Sequence, residues 1–245
     1  MRNSIAENLK AWDRDHTWSQ DGDEWTGQAR LCGQPYEVWK RSIVETFIEP
    51  NVTPSTTVLE IGPGHGRWSK EIVGRCGQLI LVDLSPSCID YCHSLLAGHD
   101  HVAYRVTEGR SLPEVADGGV ELIWSFDAFV HMSAEVIESY FAEIRRVLAP
   151  GGRALIHHPG RRHLFLPLRF LRHRGGLGAW VYKALTMGQL GDDDGWRSDV
   201  SRALIRRLAR RHGLRVESQL SRWGENLEFG VPRFRDAISC LTKRR

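Results

Sequence analysis

The chain lacks most of what would place it in a membrane or a disulfide-bonded scaffold. No uninterrupted apolar run reaches the ~18 residues of a membrane-spanning helix, and the opening Met1-Arg2-Asn3-Ser4 has no apolar signal core. A cytoplasmic protein without a membrane partner is therefore expected. Cysteine is scarce and odd in number: Cys32, Cys76, Cys88, Cys92 and Cys240 include no Cys-x-x-Cys pair. Cys88 and Cys92 can share a helix face as metal ligands, but no further ligands stand near them, so reduced, packed thiols are the better reading. No internal repeat or low-complexity linker is visible. The 41% hydrophobic and 26% charged fractions are those of a soluble protein, and 245 residues suffice for one α/β domain with an elaboration.

What the chain does have is a strand that breaks into glycines. Val58-Leu59-Glu60-Ile61 is a buried-strand pattern ending in Gly62-Pro63-Gly64-His65-Gly66, where glycines let the backbone turn sharply and come close to a ligand. Seventeen residues past Gly66, a second apolar run, Leu79-Ile80-Leu81-Val82, ends in Asp83. Two such strands side by side offer a bare loop and a carboxylate to one ligand. The spacing differs from the G-x-G-x-x-G of dinucleotide folds, and the acid at Glu60 suits a cationic ligand better than a pyrophosphate.

This pattern resembles the first motif of the class I S-adenosylmethionine-dependent methyltransferases, and the likeness continues along the chain. Asp83 resembles the ribose-binding acid. Thr107-Glu108-Gly109-Arg110-Ser111-Leu112-Pro113 resembles the adenine-side segment, with Glu108 where an aspartate is more usual. Val120 to Asp127 resembles strand four and the loop below the methyl group, and Leu148 to Ile156 resembles a helix end, turn and strand five. The resemblance implies a doubly wound, Rossmann-like sheet of seven mostly parallel strands, an antiparallel C-terminal hairpin and a helical cap insertion. It also implies cofactor contacts from Glu60, Gly62 and Gly64, from Asp83 and Leu84, from Glu108 and Gly109, and from Ser125 and Phe126.

Local patterns divide the chain further. Ser133 caps a helix with a Val136, Ile137, Tyr140, Phe141, Ile144, Leu148 stripe that Pro150-Gly151-Gly152 ends. Leu214 to Leu220 and Arg235 to Leu241 read as the hairpin. We expect one methyltransferase domain over 1–245: an N-terminal lid over 1–45, a cofactor-binding core over 57–158, a cap over 159–197 and a C-terminal helix and hairpin over 198–245. Four tryptophans stand in the leader, and Trp25, Gln28 and Tyr36 are its candidate substrate contacts, because they lie among small or turn-forming residues. The cap, with Gly175-Gly176 as its hinge, either closes the active-site mouth or serves a homodimer.

Eleven arginines and one lysine stand against four aspartates between Arg161 and Arg211. Five of these arginines lie opposite the apolar face of one helix, so a solvated face is the better reading and a nucleic-acid partner is disfavoured. Asp192-Asp193-Asp194 suits magnesium only in principle; consecutive acids point apart, and no metal is indicated.

Methyl transfer from a sulfonium is an in-line displacement, so alignment dominates, and a hydroxyl acceptor also needs a proton acceptor. The candidates are Asp127, His131 just before the helix that Ser133 caps, and His157 and His158 ending strand five, where alternation sets one on each side of the sheet and His158 is favoured as nearer the strand's end. His131 is the leading one. Histidines on the acceptor side and tryptophans in the lid favour transfer to a small-molecule hydroxyl, with a saccharide as the acceptor class. The alternatives are N-methylation of an amino sugar or small amine, and a non-catalytic cofactor-binding subunit.

Overall fold

A computed structural model describes residues 4–19, 27–160, 176–178, 180–181, 198, 200–232 and 235–244. Five parallel strands open the sheet: β1 (Thr57–Ile61), β2 (Gln78–Asp83), β3 (Val102–Val106), β4 (Val120–Ser125) and β5 (Leu148–His158). They are followed by β6 (Leu214–Leu220), a short β7 (Arg222–Trp223) and β8 (Phe229–Gly230), and β9 (Ala237–Lys243). The seven-stranded sheet runs β3-β2-β1-β4-β5-β9-β6, with β9 antiparallel to both neighbours. The doubly wound sheet and the antiparallel pair are thus as expected. β9 starts at Ala237 rather than Arg235, whose φ of +56° marks a turn. The β7–β8 ribbon was not anticipated.

The helices divide between the two faces by their stripes. On one face pack α2 (Gly27–Leu31), α3 (Tyr36–Ile43) and α4 (Ser69–Val73), where Trp39, Ile43, Ile48 and Ile72 meet Val58, Leu81 and Trp124. On the other face lie α6 (Ala134–Val147) and α7 (Arg202–Arg211), where Ile137, Tyr140, Phe141, Ile144, Ile205 and Leu208 meet Leu59, Ile61, Ile123 and Ile156. α5 (Pro86–Leu95) links β2 and β3. Ser133 accepts the Val136 N–H and Ser201 the Leu204 N–H, satisfying donors that helix starts leave bare.

The expected lid splits in two. Residues 4–19 carry α1 (Ile5–Lys10), begun by a reciprocal Ser4–Glu7 capping box, and a π-helical turn, Ala11–Asp15. Residues 27–48 belong instead to the core: Trp39 is fully buried and its Nε1–H donates to the Gly230 carbonyl at 2.8 Å, fixing α3 to the β7–β8 ribbon. Most of the cap at 159–197, Gly175 of its hinge, and Asp192 to Asp194 lie outside the described residues. Among the described residues no helix is long and apolar enough to cross a membrane.

Candidate active site

β1, β2 and β4 end side by side, and the loops beyond them, with α1 and the turn after it, wall a cavity of about 350 Å³. That is within the ~300–1,000 Å³ of small-molecule sites. Gly62 and Gly64 line it with φ of +74° and +55°. A Cβ at Gly62 would stand 2.5 Å from that of Ala128, and one at Gly64 would stand 2.7 Å from the Trp18 indole, so both the turn and the lack of a side chain are needed. Beside the loop, Asp83 Oδ2 accepts the Gly64 N–H at 3.2 Å and Oδ1 the Ser85 N–H at 2.9 Å. Burial nevertheless pushes the Asp83 carboxyl up to about 6. Leu84, Gly109 and Phe126 complete this wall.

Three expected cofactor residues do not line the cavity. Glu60 is buried beneath the glycine loop, where it accepts a 2.6 Å hydrogen bond from Ser69, and burial pushes it up to about 8. Its carboxyl is thus set beneath the loop and not on the cavity wall, and burial favours its protonated form. Glu108 points outward and accepts from Ser111 and Thr107, bonds that hold its carboxyl below the usual range. Ser125 is spent on the fold, its Oγ donating to the Ile61 carbonyl at 2.7 Å and tying β4 to β1.

Of the described tryptophans in the leader, Trp12 and Trp18 line the cavity. Trp18 stacks on His65 at 4.7 Å, and His65 on Tyr91 at 3.7 Å. Trp12 meets His131 at 4.8 Å. Of the expected substrate contacts, Gln28 lines the cavity, Trp25 lies outside the described residues, and Tyr36 does not reach it, packing on Trp39 instead. Asp13, which sequence reasoning missed, latches this segment: it accepts from Ser85 Oγ at 2.8 Å and the Ser87 N–H at 3.1 Å, at the start of α5. A carboxylate there answers the free N–H groups of a helix start, and those bonds, Ser85 first, lower its pKa. Asp13→Ala should speed release of a bound nucleoside several-fold, read from tryptophan fluorescence in stopped flow; an unchanged rate would show the latch to be inert.

Arg67, Asp127 and His131 also line the cavity. Asp127 holds a φ of +64°, an uncommon conformation outside glycine, and pairs with Arg67 Nη1 at 3.1 Å. Its other oxygen lies 3.1 Å from His157 Nδ1. His157, not His158, is the β5 histidine on this side. His158 is sealed on the opposite face, with Nε2 2.6 Å from Ser239 Oγ and Nδ1 2.8 Å from the Pro159 carbonyl, and burial lowers its pKa to about 3. The expectation that it reaches the cleft is therefore corrected. Among the described residues no three histidine, cysteine or acidic side chains converge on a metal site.

Residues 58–152 match the family described as Methyltransferase domain. A malonyl-[acyl-carrier protein] O-methyltransferase of Hahella chejuensis is 34% identical over 102 residues, which are 40% of this chain and 34% of that protein. A hybrid PKS-NRPS synthetase, poxE, of Penicillium oxalicum is 31% identical over 120 residues, 45% of this chain and 3% of that protein. The chain thus spans about a third or less of the curated relatives it matches. In fold it is similar to the geranyl diphosphate C-methyltransferase of Streptomyces coelicolor A3(2), with a TM-score of 0.62, 15% identity and 98% of each chain covered. A putative sarcosine dimethylglycine methyltransferase from Galdieria sulphuraria gives 0.61 at 17% identity, again over 98% of each chain.

Proposed function

Because residues 58–152 match the Methyltransferase domain family and the fold is similar to that of known methyltransferases, we propose that the chain is a class I S-adenosylmethionine-dependent methyltransferase whose cavity brings that cofactor to a small-molecule hydroxyl, with a saccharide as the acceptor class. The observation carrying this reading is the joining in one cavity of a bare glycine loop, the Asp83 carboxylate, Asp127 and His131. The residues fit the cofactor: Gly62 and Gly64 bring bare backbone to the cavity, where a Cβ would collide with Ala128 or Trp18, and Asp83 beside them is the carboxylate for the ribose hydroxyls. When bound, the cofactor supplies an electrophilic methyl group on a sulfonium.

The chain's own residues do the rest. Residues 4–19 close over the loop and exclude water, which strengthens every charge interaction beneath them. The flat rings of Trp12 and Trp18 offer faces to a sugar ring, and Gln28 offers it an amide. In this reading Asp127 or His131 takes the hydroxyl proton, supported by both residues lining the cavity. A panel of sugars, amino sugars and small amines, assayed by release of S-adenosylhomocysteine, tests the reading. Release with hydroxyl acceptors supports it, release only with amines turns it to N-methylation, and binding without release marks a non-catalytic subunit.

Asp83→Ala should weaken cofactor binding at least about tenfold, since charge-assisted hydrogen bonds contribute ~1.5–3 kcal/mol each. Calorimetry on the folded variant checks this, and unchanged affinity would overturn the assignment.

A further inference from the structure

From the cavity wall inward runs a row of ionisable side chains: Arg67, Asp127, His157, Asp236. His157 is fully buried, its ring stacked on Phe126 at 4.2 Å with Nδ1 toward Asp127 and Nε2 3.3 Å from Asp236 Oδ2. Asp236 is itself fully buried just before β9, where the Gln28 amide reaches its carboxylate at 3.4 Å and the Arg202 guanidinium approaches its carbonyl oxygen at 3.5 Å. Nδ1 faces two partners at once: the Asp127 N–H at 3.2 Å, which needs a lone pair on the ring, and the Asp127 carboxylate at 3.1 Å, which needs a proton there. The site therefore accommodates both states of the ring without moving it.

We propose that Asp127, His157 and Asp236 form a proton relay, in which the carboxylate on the cavity wall passes the acceptor's proton to the buried imidazole and Asp236 holds that imidazole ready to receive it. This rests on the reading above that a hydroxyl is methylated. As the hydroxyl oxygen bonds the methyl carbon and the carbon–sulfur bond breaks, the hydroxyl proton passes to an Asp127 oxygen. The carboxyl turns about its Cβ–Cγ bond and gives the proton to the Nδ1 lone pair. Asp127 is again a carboxylate, the imidazolium sits between two carboxylates, and the proton leaves to water after the product departs.

Asp127 is the catalytic residue; His157 and Asp236 are positioning residues that act through it. The groups facing the ring account for its proton affinity. Burial alone would lower the pKa of His157, but Asp127 and Asp236 outweigh it, while His158, next along β5, stays uncharged. Turnover requires the neutral ring, so the rate should fall on acidification through a pKa above the ordinary histidine value of about 6.5. The Asp236→Asn exchange removes one carboxylate and should move that limb down by about 1 pH unit or more.

The test uses the full chain. Calorimetry with S-adenosylhomocysteine first establishes that the wild type and Asp236→Asn bind it alike. Imidazole NMR, with the His157→Gln variant assigning the signal, then follows the titration of His157. The pH–rate profile is taken with the acceptor that scores highest in the panel. The relay requires His157 to titrate above about 6.5, and both that titration and the acidic limb to shift down together in Asp236→Asn, with KM little changed. A wild-type His157 that titrates at or below the ordinary value, or a limb that stays put while the ring shifts, overturns it. Should Asp236→Asn fail to fold, His157→Gln decides: loss of the limb with a fall in kcat and intact S-adenosylhomocysteine binding supports the relay, and a wild-type profile overturns it. A wild-type chain that binds no S-adenosylhomocysteine would overturn the functional reading beneath, a failure distinct from that of the relay.

Discussion

Asp127→Asn is expected to slow methyl transfer to a hydroxyl by about 10²–10⁴-fold, the range for a positioned base. Asparagine isolates the chemistry. It is among the residues best suited to a φ of +64°, it matches the carboxylate in shape, and it leaves Arg67 an oxygen to bond. What it loses is the ability to hold a proton or to stand as a charge beside His157. Single-turnover rates with saturating cofactor would show the loss in the chemical step, and S-adenosylhomocysteine affinity should hardly move. Near-normal turnover would shift the role to His131, and both variants active would point to an amine acceptor that needs no strong base.

Trp39→Ala should be the most damaging single change to stability. Its indole is fully buried between Tyr36, Trp68 and Phe126, with ring centroids 6.0–6.5 Å away. Such truncations cost ~3–5 kcal/mol, and this one also strips the Gly230 carbonyl of its indole donor. Urea unfolding measures the loss; a cost under ~1 kcal/mol, no more than an average substitution, would show that α3 and the β7–β8 ribbon lie outside the cooperative unit.

Where the sequence could be read, a short-range rule applied. Continuous apolar runs gave β1 and β2, Ser133 gave the start of α6, and the family resemblance supplied β4. The glycine loop and Asp83 were legible because their spacing carries its own reason. Alternation also separated His157 from His158 onto opposite faces, but which face meets the cavity depends on how the sheet is covered, and the nearer-to-the-end rule chose wrongly. Tyr36 fails for a similar reason: it opens a helix whose Trp39 and Ile43 are buried in the core, and it follows them onto the sheet. Asp13, Arg67 and Asp236 left no local trace. Their partners Ser85, Asp127 and His157 lie 72, 60 and 79 residues away, and no period in the sequence spans such distances.

The position of β9 governs how the molecule is made. β9 is the last strand in the sequence, yet it pairs with β5 on one side and β6 on the other. During synthesis β1 to β5 can associate as they emerge, but β6 has no neighbour until the final strand arrives between them. Asp236 stands at the doorway of that strand, so the charge behind the cavity arrives with the closing of the sheet. A chain arrested before residue 236 would carry the glycine loop and Asp83 without Asp236, the residue that the proposed relay sets at its far end.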